Sequence, residues 1–377
     1  MKPLISFSSA FYQNVLRPGL FRFDSERVHG WLTSLGEAIG RTSAKNILAV
    51  ALCVEDPRLE QIIHGVPFPN PIGLAAGFDY EARLTQVLPS IGFGFGTIGT
   101  ITSQPYEGNE YPRLGRLIKS RSLFVNKGFK NHGIHKTLAK LSDYKFQIPI
   151  GISIGKTNTS GPETQAEAVK DIVSAFREAI ASPAPFGYYE LNVSCPNLSG
   201  NISFYPPENL RELLRAVLTL PLRKPLFIKM PIEKNDKEIL GMLKVIASFP
   251  VQGVIFGNLQ RNRQDPALHP EETAKYPAGN FSGKPTEKRS NELIRLAYAR
   301  FGKKLTIIGC GGVFSAEDAY RKIRLGASLV ELITGLVYMG PQLPAEINAG
   351  LLTLLKKDGF SHISEAVGAD NGSASSP

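Results

Sequence analysis

From residue 70 onward the sequence predicts a (β/α)8 barrel, and three observations carry that expectation. Short β-rich runs alternate with longer amphipathic stretches, the arrangement of repeated βα units around a parallel sheet. Eight such runs can be counted, the number that closes a barrel. Glycines, asparagines and a lysine gather where those runs end, and in such barrels the reacting groups sit at the C-terminal ends of the strands. A doubly wound open sheet is the alternative reading of the same pattern.

The elements follow in order. Residues 1–45 form a helical extension expected to associate with a membrane. There Phe21, Phe23, Val28, Trp31, Leu32, Leu35 and Ile39 share one apolar face, with Arg17, Arg22 and Arg27 nearby. That face either packs on the barrel or meets lipid. The barrel is assigned to residues 46–360. Its strands are read at Pro71 to Ala76, Gly94 to Thr100, Pro149 to Ile154, Tyr188 to Val193, Pro225 to Met230, Gly253 to Gly257, Leu305 to Gly309 and Leu329 to Ile333. Crossover helices are read at Ala166 to Ile180, Pro207 to Leu218, Lys237 to Ser248, Ser290 to Phe301 and Ala316 to Leu325. Residues 361–377, ending in the small and polar NGSASSP, are expected to be a flexible tail.

Composition narrows the function. The chain has 377 residues, 42% hydrophobic and 20% charged, which fits a globular protein. No apolar run reaches the roughly 20 residues that span a bilayer, and the first residues do not make a signal peptide. Three scattered cysteines exclude a disulfide framework and a CxxC zinc site. A net charge of +10 favours anionic partners, but no basic stretch interleaved with aromatics points to nucleic acid. No cluster with metal-ligand spacing appears, and the six histidines, His132 and His135 among them, are expected to be structural or at the surface.

The chemistry is expected at the strand ends. Strand 7 runs into Gly309-Cys310-Gly311-Gly312 and strand 8 into Thr334-Gly335, so exposed backbone amides converge as they do around a bound phosphate. Strand 4 ends in Asn192-Val193-Ser194-Cys195-Pro196-Asn197, a thiol between two amides. A cysteine there suits a base or nucleophile. Strand 5 delivers Lys229 after Leu226-Phe227-Ile228, an expensive burial unless an anion meets it. Strand 6 delivers Asn258 in the same way. The loops Pro196 to Pro207 and Leu259 to Phe281 are candidates for a lid.

These residues resemble the dihydroorotate dehydrogenases. The likeness lies in Gly73-Leu74-Ala75-Ala76-Gly77-Phe78-Asp79, Gly99-Thr100, Asn192 to Asn197, Lys229, Gly253-Val254-Ile255, Ser282-Gly283-Lys284-Pro285 and Gly309 to Gly312, over roughly residues 15 to 360. Leu20-Phe21-Arg22-Phe23-Asp24-Ser25-Glu26-Arg27 is similar to the start of the membrane-associated, quinone-using class. The resemblance implies FMN held by Ala76, Gly77, Thr100, Asn192, Lys229, Gly283, Gly312 and Thr334. It implies substrate contacts at Asn126, Asn197 and Asn258, with Cys195 as the base that takes a proton from C5 of dihydroorotate while hydride leaves C6. It further implies pyrimidine biosynthesis, a quinone path lined by Arg116, and a peripheral place on the cytoplasmic side of the cell membrane.

The pocket departs from the family at several positions. Cys195 is the base of the soluble class, where the quinone-using class has serine. Tyr80 stands where the family has a lysine near both flavin and substrate. Val125 occupies a substrate asparagine position with Asn126 one place away, and Ser153 replaces a flavin-contacting asparagine. Gly257 and Leu259 replace two threonines, and Ile333 replaces a tyrosine beside the quinone path. Two alternatives therefore stand beside dihydroorotate oxidation: an FMN barrel oxidoreductase with a changed substrate, and a flavin-binding protein without turnover.

Overall fold

The structure, a computed structural model, describes residues 3–158, 164–198 and 202–371. Eight parallel strands close into a barrel: β1 (Ile72–Leu74), β2 (Phe95–Ile101), β3 (Ile150–Ile154), β4 (Tyr188–Asn192), β5 (Leu226–Met230), β6 (Gly253–Phe256), β7 (Thr306–Cys310) and β8 (Leu329–Leu332). The ring is complete, since β8 pairs with β1 and β5 with β6. The open-sheet alternative is thereby excluded. Each strand falls within a residue or two of its predicted range, because continuous Val, Ile and Leu runs buried on both faces carry the signal.

Helices cover the outside. Gln165–Ala181 and Asp236–Ile246 each begin with a capping box, Thr164 with Glu167 and Asn235 with Glu238. Their apolar faces join one large core with the outward side chains of the strands. The helix expected from Ser290 starts earlier, at Lys284, where Pro285 sits in its first turn.

The barrel interior is layered. Phe68, Phe95, Tyr188 and Phe227 fill its lower half with edge-to-face rings, as in the Phe68 and Phe95 pair at 5.4 Å and 89°. Gly73 and Gly151 make room, since a Cβ on either would fall about 2 Å from the Phe95 or Tyr188 ring. A hairpin of Gln61–Ile63 and Val66–Phe68 lies across this end and drives Phe68 into it.

At the opposite end an antiparallel sheet of Leu114–Leu117, Ser122–Val125 and Asn280–Gly283 arches over the mouth. Sequence reading missed it because its strands are four residues long and the third joins the hairpin of the first two from far along the chain. The stretch Leu259 to Phe281 leads into this sheet. Gln260 exchanges backbone hydrogen bonds with Phe281, and Arg263 donates to the Tyr276 and Gly279 carbonyls at 2.7 and 3.1 Å, so the segment is tied down. The other expected lid, Pro196 to Pro207, has its central residues 199–201 outside the described residues.

The N-terminal extension consists of helices Pro3–Phe11, Ser25–Gly40 and Ala44–Leu52, with shorter turns between. The expected boundary at residue 45 therefore falls inside a helix, and the extension runs to Leu52. Asp24 caps the long helix, accepting from the Glu26 and Arg27 amides at 3.1 and 2.9 Å. At the other terminus, the tail expected from residue 361 is corrected: Ile363–Ala366 is helical with both end residues buried. Only residues 372–377 of that stretch lie outside the described residues.

Candidate active site

One cavity of about 510 Å³ occupies the C-terminal end of the barrel and runs on between the N-terminal helices. Ala76, Gly77, Thr100, Asn192, Cys195, Asn197, Lys229, Asn258, Gly283, Gly312 and Thr334 line it, with Arg116 toward the extension. Asn126 does not. Alternation along its strand end turns Val125 and Lys127 into the cavity, while Asn126 faces a second, polar pocket and accepts from Asn109 Nδ2 at 3.1 Å. Asn197 borders both spaces.

Register assembles the centre. Asn192 pairs with Lys229 across β4 and β5, and Ser153 pairs with Glu190 across β3 and β4. Lys229 lies 3.9 Å from carboxylate oxygens of both Glu190 and Glu331, with all three side chains buried. Burial disfavours the ammonium, but the two carboxylates outweigh it and raise the Lys229 pKa. Those distances exceed a hydrogen bond, so among the described residues the Lys229 N–H donors are unspent. Thr97 donates to Glu331 at 3.0 Å and Ser153 to Glu190 at 2.6 Å, leaving one oxygen of each carboxylate without a hydrogen-bond partner among the described residues.

A second network orients the amides. Asn192 Nδ2 donates to Thr100 Oγ1 at 2.8 Å, while its Oδ1 accepts from the Ser194 amide and hydroxyl at 3.2 and 3.1 Å. Asn258 Nδ2 donates to Ser194 Oγ at 2.5 Å. Asn197 Nδ2 donates to the Val125 carbonyl at 3.0 Å and Asn280 holds its Oδ1 at 2.5 Å. Cys195 opens part of its side chain onto the cavity between these amides. Its surroundings are nevertheless dry: burial pushes the thiol up to about 12, opposed by the Asn197 backbone N–H and the Lys229 charge.

The glycines serve close approach. Gly77 and Gly283 have φ of +111° and +85°, and Gly311 and Gly312 have +101° and +72°. At Gly283 a Cβ would meet the Arg121 carbonyl at 2.5 Å, while at Gly77 the nearest neighbour is Ile333 at 3.7 Å, so the Gly77 backbone faces open space.

Toward the extension the wall turns apolar, with Leu16, Leu20, Phe21, Val28, Leu32 and Leu35. Arg116 donates to the Phe23 carbonyl at 2.9 Å and lies over the Phe21 ring, and burial lowers its pKa. One histidine belongs here after all. His29 lines the cavity, bonds the Phe78 carbonyl at 2.8 Å and stacks on Tyr80, and burial lowers its pKa to about 3. Sequence reading also passed over Lys127, Ser194, Glu190 and Glu331. The glutamates were findable, as lone carboxylates inside the apolar runs YYELN and LVELI.

The sequence model of the family described as dihydroorotate dehydrogenase matches residues 58–355. The chain is 36% identical over 376 residues to a dihydroorotate dehydrogenase (quinone) from a Nostoc species, covering 95% of this chain and 98% of that protein. It is 37% identical to the protein so named from Mycolicibacterium smegmatis, covering 94% and 98%. In three dimensions it is similar to the crystal structure of a DHODH from Eimeria tenella in complex with ferulenol. There the TM-score is 0.81 at 25% identity, with 95% of this chain and 99% of that one covered.

Proposed function

The chain belongs to the dihydroorotate dehydrogenase family, and from that premise we propose that it oxidises dihydroorotate to orotate in pyrimidine biosynthesis, with FMN as cofactor and a quinone as electron acceptor. One observation supports this reading above the others: the unspent Lys229 ammonium, the Cys195 thiol and the amides of Asn192, Asn197 and Asn258 line one cavity that continues into an apolar passage.

The residues fit a flavin. Lys229 has donors to offer a ring that becomes negative, the backbone at Gly77 lies bare beside open space, and Gly283, Gly312 and Thr334 border the part suited to a phosphate. Ser282 and Thr334 hydroxyls lie 2.8 Å apart there. Bound in this cavity, FMN would accept hydride from C6 of dihydroorotate and deliver the electrons to quinone.

The side chains supply the rest. Cys195, as thiolate, removes the C5 proton. Since the resting thiol is held near 12, ionisation is the demanding part, and the Asn197 N–H and Lys229 charge assist it. Asn192 and Asn258, both locked through Ser194, present amides with fixed orientation to the substrate. The quinone would enter past Arg116, His29 and the leucines of the extension. Exposed Phe7, Ile47 and Val50, at 69, 74 and 77%, with Arg17, Arg22 and Arg27 support peripheral attachment to the cytoplasmic face of the cell membrane. Among the described residues no helix is long and apolar enough to cross a membrane.

Anaerobic mixing of the flavin-loaded protein with dihydroorotate tests the reading. Bleaching of the flavin band, followed by its return on addition of a quinone, is expected. A flavin that stays oxidised under dihydroorotate overturns it.

A further inference from the structure

A buried ammonium that no carboxylate among the described residues pairs with lies beside Tyr80, the position at which the resemblance to the family leads one to expect a lysine. Resting on the dihydroorotate reading, we propose that Lys127, held by Tyr80, is the cation that receives the carboxylate of the substrate, so that charge missing at position 80 is supplied from position 127.

Lys127 is 8% exposed and lines the same cavity as Cys195 and Lys229. Its Nζ donates to Tyr80 Oη at 3.2 Å and lies 4.3 Å from the centroid of that ring. Among the described residues it makes no ion pair. The neighbouring Glu26 is already engaged, by Arg113 at 3.3 Å and Lys130 at 3.2 Å. An ammonium withdrawn from water without an anion is strongly disfavoured, and a site of this kind is completed when a ligand brings the negative charge. Burial draws the Lys127 pKa down to about 8, as such an incomplete pair requires.

Tyr80 contributes twice. Its oxygen accepts from Lys127, so its own O–H has no acceptor among the described residues and is free for the ligand. Its ring is clamped from the far side by His29, stacked at 5.3 Å and 12°. With the His29 pKa lowered to about 3, that clamp is neutral and does not compete for the anion. Orientation by strand alternation completes the case, for it is Lys127 and not Asn126 that turns into the cavity.

The experiment titrates flavin-loaded protein with orotate and, separately, with uracil, which lacks the carboxylate, following the perturbation of the flavin spectrum. Lys127→Met is expected to weaken orotate by about 10- to 100-fold, the loss of one charge-assisted contact. Uracil binding is expected to stay within about twofold, and Lys127→Arg to restore most of the orotate affinity. Should Lys127→Met fail to load flavin, Lys127→Gln, which keeps a donor for Tyr80 without the charge, gives the same comparison. Equal orotate affinity in the parent and either variant overturns the assignment, as does an equal loss for orotate and uracil. A parent that binds no orotate at all fails at the dihydroorotate reading itself and takes this assignment with it.

Discussion

The two ends of the cavity are built on opposite principles. At the barrel end, charged and amide side chains project from strands whose register fixes them to within a residue, and the amides of Asn192, Asn197 and Asn258 are each held by a hydrogen bond. At the extension end, helices present leucine, phenylalanine and tryptophan, many of them still exposed, and the cavity wall is mostly aliphatic and aromatic. The long helix rests on the barrel through Gly36 and Gly40, whose absent side chains admit Leu84 and Gln86 to 2.5 and 3.0 Å of the Cβ position, while Leu32 and Leu35 line the cavity and Trp31 stays outward. The contrast teaches a division of labour. One end is preorganised for a polar ligand of definite shape, and the other is an apolar channel.

The sharpest break of that division comes at the thiol. Cys195→Ala is expected to slow flavin reduction by dihydroorotate by about 10²- to 10⁴-fold with flavin content unchanged, as measured by stopped-flow absorbance. In the parent, the same rate should climb about tenfold per pH unit between pH 7 and 9, because the thiolate fraction grows toward a pKa of about 12. A plateau at neutral pH would assign the base elsewhere. Deleting residues 3–20, which leaves His29 stacked on Tyr80, attacks the other end. Quinone turnover is expected to fall about tenfold, equivalent to ~1.4 kcal/mol of acceptor binding, with reduction by dihydroorotate nearly untouched. Equal losses in both half-reactions would erase the distinction between the ends. Phe7→Glu with Ile47→Glu should weaken sedimentation with anionic vesicles while altering stability by no more than about 0.5 kcal/mol, since both side chains are exposed.

The smallest effect concerns stability. Burial holds Glu331 above the usual carboxylate range, so the folded chain keeps a proton that the unfolded chain has already released. Stability from this group is therefore lost as pH rises from the ordinary carboxylate range toward neutrality. Glu331→Gln should flatten that decline by about 1 kcal/mol in urea titrations at pH 5 and 8. An unchanged slope would mean that Lys229 neutralises both glutamates in the native state.

The barrel was legible in the sequence because burial on two faces makes each strand a continuous apolar run, and the departures from that run, Lys229 and Asn192, mark the rim. The mouth sheet was not, since Leu114–Leu117 and Ser122–Val125 make only a short local hairpin, and the third strand, Asn280–Gly283, joins Ser122–Val125 from about 155 residues later, a pairing no local pattern announces. Asn126 and Lys127 show the finer limit. The resemblance pointed to Asn126 and nothing in the sequence pointed to Lys127, because only the course of the chain beyond Val125 decides which one faces inward. His29 escaped for a similar reason: its role depends on where a remote helix lands.

The hairpin that drives Phe68 into the lower barrel has a consequence for Glu190 and Glu331 above it. Above these interlocking rings both acids are fully buried, and Lys229, 3.9 Å from each, is the cavity-lining cation beside them. A ligand that draws on the Lys229 ammonium therefore loosens its hold on both acids at once, and occupancy should register as a shift in their carboxyl infrared bands without any turnover.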